Sequence, residues 1–221
     1  MFDPELDESI VELGFVDEVR VDGDTVELGL RLPTFWCAPN FSYLMAHDAR
    51  QAVLGIDGVR DMRVHLKDNA YSDEISEGVS NSKTFVEVFP GQADGDDLDE
   101  LRRVFARKAF GMRQEQLTRF LLDAGMSREA VVALRVDDVP RLPKGAAPLA
   151  RMYLDRRRRL GFEASNPKLI TDTEGNSIAA DQLEEHLKRM RKQRVSMTFN
   201  SLMCRGLLET RYALTAKGEC L

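Results

Sequence analysis

Cysteine is scarce in this chain: three in 221 residues, at positions 37, 204 and 220. A number so small, odd and spread out excludes a disulfide-stapled scaffold and points to free thiols in a reducing compartment. No Cys-x-x-Cys pair occurs, and His47, His65 and His186 are scattered, so no four-ligand zinc pattern is present. Long apolar runs are missing too. Mean hydropathy is −0.33, and nothing approaches the roughly 20 apolar residues that span a bilayer. The opening MFDPELDESI is acidic where a secretory leader would be basic, so the expected location is cytoplasmic, with no membrane partner. The chain also lacks a nucleophile elbow, a zincin helix, a phosphate loop, a dinucleotide fingerprint and paired Glu-x-x-His motifs, and is therefore expected not to be an enzyme.

Each half of the chain is short of one sign of charge. Residues 1–100 carry 23 acidic and 7 basic side chains, a net of −16; the rest of the chain carries 14 and 24, a net of +10. The overall −6 hides this polarity, which speaks to partners rather than fold. The basic runs are RRRR (Arg156, Arg157, Arg158, Arg159) and KRMRKQR, which includes Lys188, Arg189, Arg191 and Lys192. Without a nucleic-acid motif and with net acidity, they read as a solvated face or a surface that docks an acidic protein partner, not nucleic acid.

Punctuation predicts the elements. Asp3 caps and Pro4 opens a first helix with Leu6, Ile10 and Leu13 as its buried stripe, ended by Gly14. Val19 and Val21, then Val26, Leu28, Leu30 and Leu32, alternate with polar residues around Asp22-Gly23, a hairpin with one apolar face. A second helix begins near Asn40, with Phe41, Leu44, Met45, Ala49, Ala52 and Val53 as its stripe. Met62, Val64 and Leu66 mark a third strand. The order α-β-β-α-β gives an α+β fold, a small two-layer α/β sandwich over residues 1–90. Short elements follow over Asp73–Val79 and Thr84–Phe89. The Gly-, Asp- and Pro-rich stretch 90–97 reads as a linker to a basic, mainly helical region over 97–221. Its helices are expected around 98–109, 117–122, 127–134, 148–160, 181–194 and 200–212.

Three segments in the first part resemble the metal–sulfur (iron–sulfur) cluster assembly factor family, which includes SufT-like and PaaD-like proteins. They are DPELDESIVELGFV (3–16), LPTFWCAP (32–39) and GIDGVRDMRVHL (55–66), with VRVDGDTVELGLRL between them at the family's spacing. The resemblance implies a role in maturing iron–sulfur or other iron proteins rather than turnover of a substrate. It makes Cys37 the reactive or metal-binding thiol, and Thr34, Trp36 and Pro39 the loop around it. Asp3 and Glu5 are the acidic start expected near that loop. No cofactor is expected to be tightly bound; iron or a cluster would be held transiently through Cys37. Here Ala38 separates Cys37 from Pro39 where the family has Cys-Pro, Trp36 replaces a smaller residue, and the extra cysteine pairs of PaaD-like relatives are absent.

From the residues alone, Cys37 has two readings. A thiol just before a helix start is favoured as thiolate by amide dipoles, or it is a small buried hydrophobe. One thiolate is too few for a cluster, so a second chain, a small thiol or a client metalloprotein would complete the site. Cys204 reads as helix core and Cys220 as an inert terminal thiol. Phe35, Trp36, Phe41 and Tyr43 read as core and loop packing, with Trp36 the best candidate for an exposed recognition residue. His47 and His65 read as solvated. An alternative function is an accessory or assembly subunit of a soluble binuclear-iron, propane-type monooxygenase, binding its hydroxylase through the added basic region.

Overall fold

The computed structural model describes residues 1–91 and 97–213; most of the expected 90–97 linker, and Cys220, lie outside them. Contacts divide the chain into two units, Met1–Leu101 with Phe199–Leu221, and Arg102–Thr198. The expected boundary near residue 90 thus shifts, and the C-terminal stretch joins the first unit. Among the described residues no helix is long and apolar enough to cross a membrane.

In the first unit, β1 (Val16–Asp22), β2 (Thr25–Arg31) and β3 (Asp61–Lys67) form one sheet in the order β1-β2-β3. β1 and β2 pair antiparallel through a two-residue turn at Gly23-Asp24, where Gly23 takes the positive φ (59°) that a tight hairpin needs. β2 and β3 pair parallel, from Thr25 opposite Asp61 to Arg31 opposite Lys67. Their connection is α1 (Pro39–Leu54), as parallel neighbours require. Leu30, Leu32, Leu44, Met45 and Met62 are fully buried where the helix covers the sheet. The opposite face, with Glu18, Arg20, Glu27, His65 and Lys67, lines an open hollow, the polar face that the alternation predicts.

The free edge of β3 is closed by α2 (Ser72–Ser80). The amide of Val64 donates to the Ser80 hydroxyl at 3.0 Å, and that of Leu66 to the Ser76 hydroxyl at 2.9 Å. Two side chains one helical turn apart thus replace the missing strand. α3 (Phe85–Val88) follows, and Thr84 and Glu87 form its capping box.

Two expectations for this unit are corrected. The first fifteen residues make successive turns, not a helix. Asp7 has φ 55°, and a short bridge pairs Phe2 with Ser9. A left-handed residue cannot continue an α-helix, yet Leu6, Ile10 and Leu13 are still buried. Secondly, Val19 and Val21 are 56% and 71% exposed. They face the same side as their buried partners Leu28 and Val26, but on the outer strand that α1 does not cover.

The second unit is helical: α4 (Asp97–Asp123) beyond Leu101, α5 (Arg128–Ala133), a 3-10 turn over Val136–Arg141, α6 (Ala146–Arg159), α7 (Phe162–Ser165) and α8 (Leu183–Tyr212) up to Thr198. Two pairs of expected helices are thus single helices, since neither junction carries a proline. Phe110, Leu117, Leu121, Tyr153, Leu169 and Leu183 form the core. Inside it the Gln114 amide donates to the Thr171 carbonyl at 2.7 Å and to the Tyr153 oxygen at 3.1 Å. Its carbonyl therefore faces His186 Nε2, which must be the protonated ring nitrogen. His186, scattered in sequence, is a buried structural residue whose pKa burial pushes down.

Arg156 and Arg157 correct the expected basic surface. They are 4% and 0% exposed, whereas Arg158, Arg159, Lys188, Arg189, Arg191 and Lys192 are exposed. The helix turns two of four consecutive arginines inward. Arg157 donates to the Thr171 hydroxyl at 3.3 Å and to the carbonyls of Phe162 (3.2 Å) and Asn166.

Candidate functional site

Cys37 sits in the loop between β2 and α1, two residues before the proline that opens the helix. Pro39 takes the first helical position, so Ala38 is the N-cap and Asn40, the expected cap, is already inside. The loop is held from below: the Asn69 amide donates to the Cys37 carbonyl at 3.2 Å, and the Ala70 N–H to the Phe35 carbonyl at 2.8 Å. Thr34 Oγ1 lies 3.1 Å from Cys37 Sγ. Phe35 and Trp36 point outward, 54% and 79% exposed, so of the four loop aromatics only Phe41 and Tyr43 pack inward.

Cys37 is half-buried and opens on a cavity of about 170 Å³. Leu6, Phe15, Pro33 and Phe41 make its walls apolar. Four groups able to carry negative charge also line it: Cys37, Asp3, Glu5 and Cys204. The acidic start and the cysteine loop, 34 residues apart in sequence, are thus brought together. Asp3 is 1% exposed. Its Oδ1 accepts the amides of Glu5 at 2.9 Å and Leu6 at 2.7 Å, the capping bond expected of it, made to a turn instead of a helix. Its Oδ2 is buried and has no hydrogen-bond partner among the described residues. Burial raises the Asp3 pKa to about 7 against the pull of those two amides.

Cys204 was not expected here. It is half-buried in the last turns of α8, within the same unit as Cys37. Burial first, then the carboxylate of Asp3, Cys37 and the carboxylate of Glu5, push its thiol up to about 11. Neighbouring residues hold this stretch of α8 in place. Arg205 donates to Glu8 and to the Glu12 carbonyl, Leu208 is 1% exposed in the sheet-domain core, and Arg211 donates to the Leu32 carbonyl at 3.1 Å. The Tyr212 hydroxyl meets Asp68 Oδ2 at 3.1 Å. SLMCRGLL misleads because its apolar residues occupy two faces: Leu202, Met203 and Leu207 are exposed, while Leu208, on the face of buried Ser201, is buried. The spacing Ser201, Cys204, Leu208 was the available signal.

A metal cage is not complete. Among the described residues no group of three or more His, Cys, Asp or Glu side chains is arranged to hold a metal ion. The site therefore offers two thiols beside buried acid, in a pocket lined by no basic residue among those described.

Residues 2–66 match the family model described as iron-sulfur cluster assembly protein. The similarity to this family covers less than a third of the chain and stops before the helical region. No curated protein and no solved structure matches the chain. The iron–sulfur assembly segment supplies Asp3, Glu5, Thr34 and Cys37, and it ends inside β3, at Leu66. Cys204 and the whole of the second unit lie outside it.

Proposed function

We propose that this protein is a non-catalytic maturation factor, acting in the cytoplasm, in which Cys37 transiently holds iron or an iron–sulfur cluster for transfer to a client metalloprotein. The observation that carries this reading is the placement of Cys37 within the family-matched segment. Its sulfur lines a cavity beside Asp3 and Glu5 instead of being sealed in the core. A cation or a cluster carries the charge that such a pocket lacks. The iron is cargo: thiolate binds it, and a client with more ligands removes it. The test is client maturation with wild type and Cys37→Ser under anaerobic conditions. Maturation is expected to fall at least tenfold in the variant; equal maturation removes the reading.

A second reading rests on the helical unit Arg102–Thr198, which the family match does not cover. It makes the protein an accessory subunit for a soluble binuclear-iron monooxygenase, with exposed Arg158, Arg159, Lys188 and Arg189 meeting an acidic hydroxylase surface. Co-purification at low salt that survives Cys37→Ser and weakens at high salt supports it. Absence of any complex at low salt removes it.

A further inference from the structure

Cys204 is the group that the maturation reading leaves unused. It lies 167 positions after Cys37 in sequence, outside the family-matched segment, yet both thiols line one cavity. The turns of α8 that carry it are fastened to the sheet domain at three points, through Arg205, Leu208 and Arg211. The second observation is Asp3. A carboxylate oxygen left buried without a partner is costly, and folded proteins rarely keep one. Here Asp3 Oδ2 is such an atom among the described residues, and Asp3 lines the same cavity as Cys37 and Cys204. Among the described residues, no lysine, arginine or histidine lines the cavity to balance it. The group missing from this arrangement is a cation that accepts sulfur.

We propose that Cys204 is the second protein ligand of the cargo site: one thiophilic divalent cation, ferrous iron in the maturation role, binds between the thiolates of Cys37 and Cys204, with the Asp3 carboxylate facing it. The inference rests on the maturation reading and names the ligand set of its site. Binding forms two metal–sulfur bonds, breaks two S–H bonds and releases two protons to water; the metal keeps its oxidation state. Two sulfur ligands are half of what tetrahedral iron or a [2Fe–2S] cluster takes. The remaining positions stay open to the client's ligands. A site that filled all four would hold its cargo; one that fills two can release it.

Cobalt(II) is the probe, because thiolate ligation gives it a sulfur-to-metal charge-transfer absorption whose intensity follows the number of sulfurs. The full chain is used in a Cys220→Ala background, so that only the two cavity thiols report. Wild-type cavity thiols are expected to give the band. Cys204→Ser and Cys37→Ser should each lose about half of it, and the double variant all of it. In parallel, ferrous iron added anaerobically should protect both Cys37 and Cys204 from alkylation, read peptide by peptide by mass spectrometry. That measurement needs no variant at either thiol, so a folding defect in Cys204→Ser does not spoil it. An undiminished band in Cys204→Ser, or Cys204 alkylated at the same rate with and without iron, overturns the two-thiol site. That result leaves the role of Cys37 standing, since client maturation by Cys37→Ser is read separately. Loss of maturation in Cys37→Ser together with full maturation by Cys204→Ser would likewise overturn this inference alone.

Discussion

Thr34 Oγ1 and Cys37 Sγ are 3.1 Å apart across the turn that leads into α1. A hydroxyl that donates to a thiolate stabilises the charged, reactive form by more than it stabilises the neutral thiol. Thr34→Val keeps the side-chain shape and removes the donor. Alkylation of Cys37 by iodoacetamide at pH 7, followed by mass spectrometry, should slow about fivefold, the equivalent of roughly 1 kcal/mol for one net hydrogen bond. Thr34→Ser should stay near the wild-type rate. Faster alkylation in Thr34→Val would mean that the sulfur is the donor and that Thr34 restrains it.

Asp3 gives the site a pH signature in the unloaded protein. Its carboxyl is raised from 3.8 to about 7, mainly by burial. Between those values the unfolded chain is ionised there and the folded one is protonated. The folded state then binds more protons, so this group lowers stability as pH climbs from about 4 to 7 and its penalty is complete above 7. Asp3→Asn can keep the acceptor for Glu5 and Leu6 while removing the charge. The variant should match wild type near pH 4 and be more stable at pH 8, by about 1 to 4 kcal/mol in denaturant unfolding. Equal stability at pH 8 would show that the carboxylate finds water or a counter-ion.

Much of the first unit was legible because its signals are local. Asp22-Gly23 placed the hairpin, Asn40 the helix start to within a residue or two, and alternation the buried Met62, Val64 and Leu66. What was missed depends on distance or on a single backbone angle. Asp3-Pro4 carries every mark of a helix start, but the left-handed Asp7 folds the segment into turns that bury the same stripe. The valines of β1 have the right period for a core face, and only the absence of a helix over that strand exposes them. Cys37 was legible by resemblance. Cys204 was not, since nothing local records that a helix beginning at Leu183 ends against the cysteine loop. The four consecutive arginines show the same limit, because a run of like charge does not say which members a helix turns inward.

Those arginines make a stability prediction. Arg157 is fully buried and supplies donors to Thr171 and to the carbonyls of Phe162 and Asn166. Arg157→Ala strands these acceptors and leaves a cavity, so the loss should be about 2 to 4 kcal/mol. Arg158→Ala and Arg159→Ala, at exposed positions, should change stability by less than about 0.5 kcal/mol. Thermal unfolding of the three variants side by side checks the contrast. An Arg157→Ala protein as stable as Arg158→Ala would contradict the buried network.

The serines of α2 make the last prediction, which concerns the strand that closes the sheet. Ser76 and Ser80 each accept an amide that no neighbouring strand takes, from Leu66 and Val64. Ser76→Ala leaves the Leu66 N–H without that acceptor in a half-buried edge, and Ser80→Ala does the same to Val64. Each should cost about 1 kcal/mol and together about 2, because the two bonds lie on separate turns and share no partner. Native-state hydrogen exchange separates the effects. Exchange of Leu66 should accelerate about fivefold or more in Ser76→Ala with Val64 little changed, and the pattern should invert in Ser80→Ala. Equal acceleration of both amides in either variant would mean that α2 protects β3 as one cooperative lid, with the individual hydroxyls dispensable.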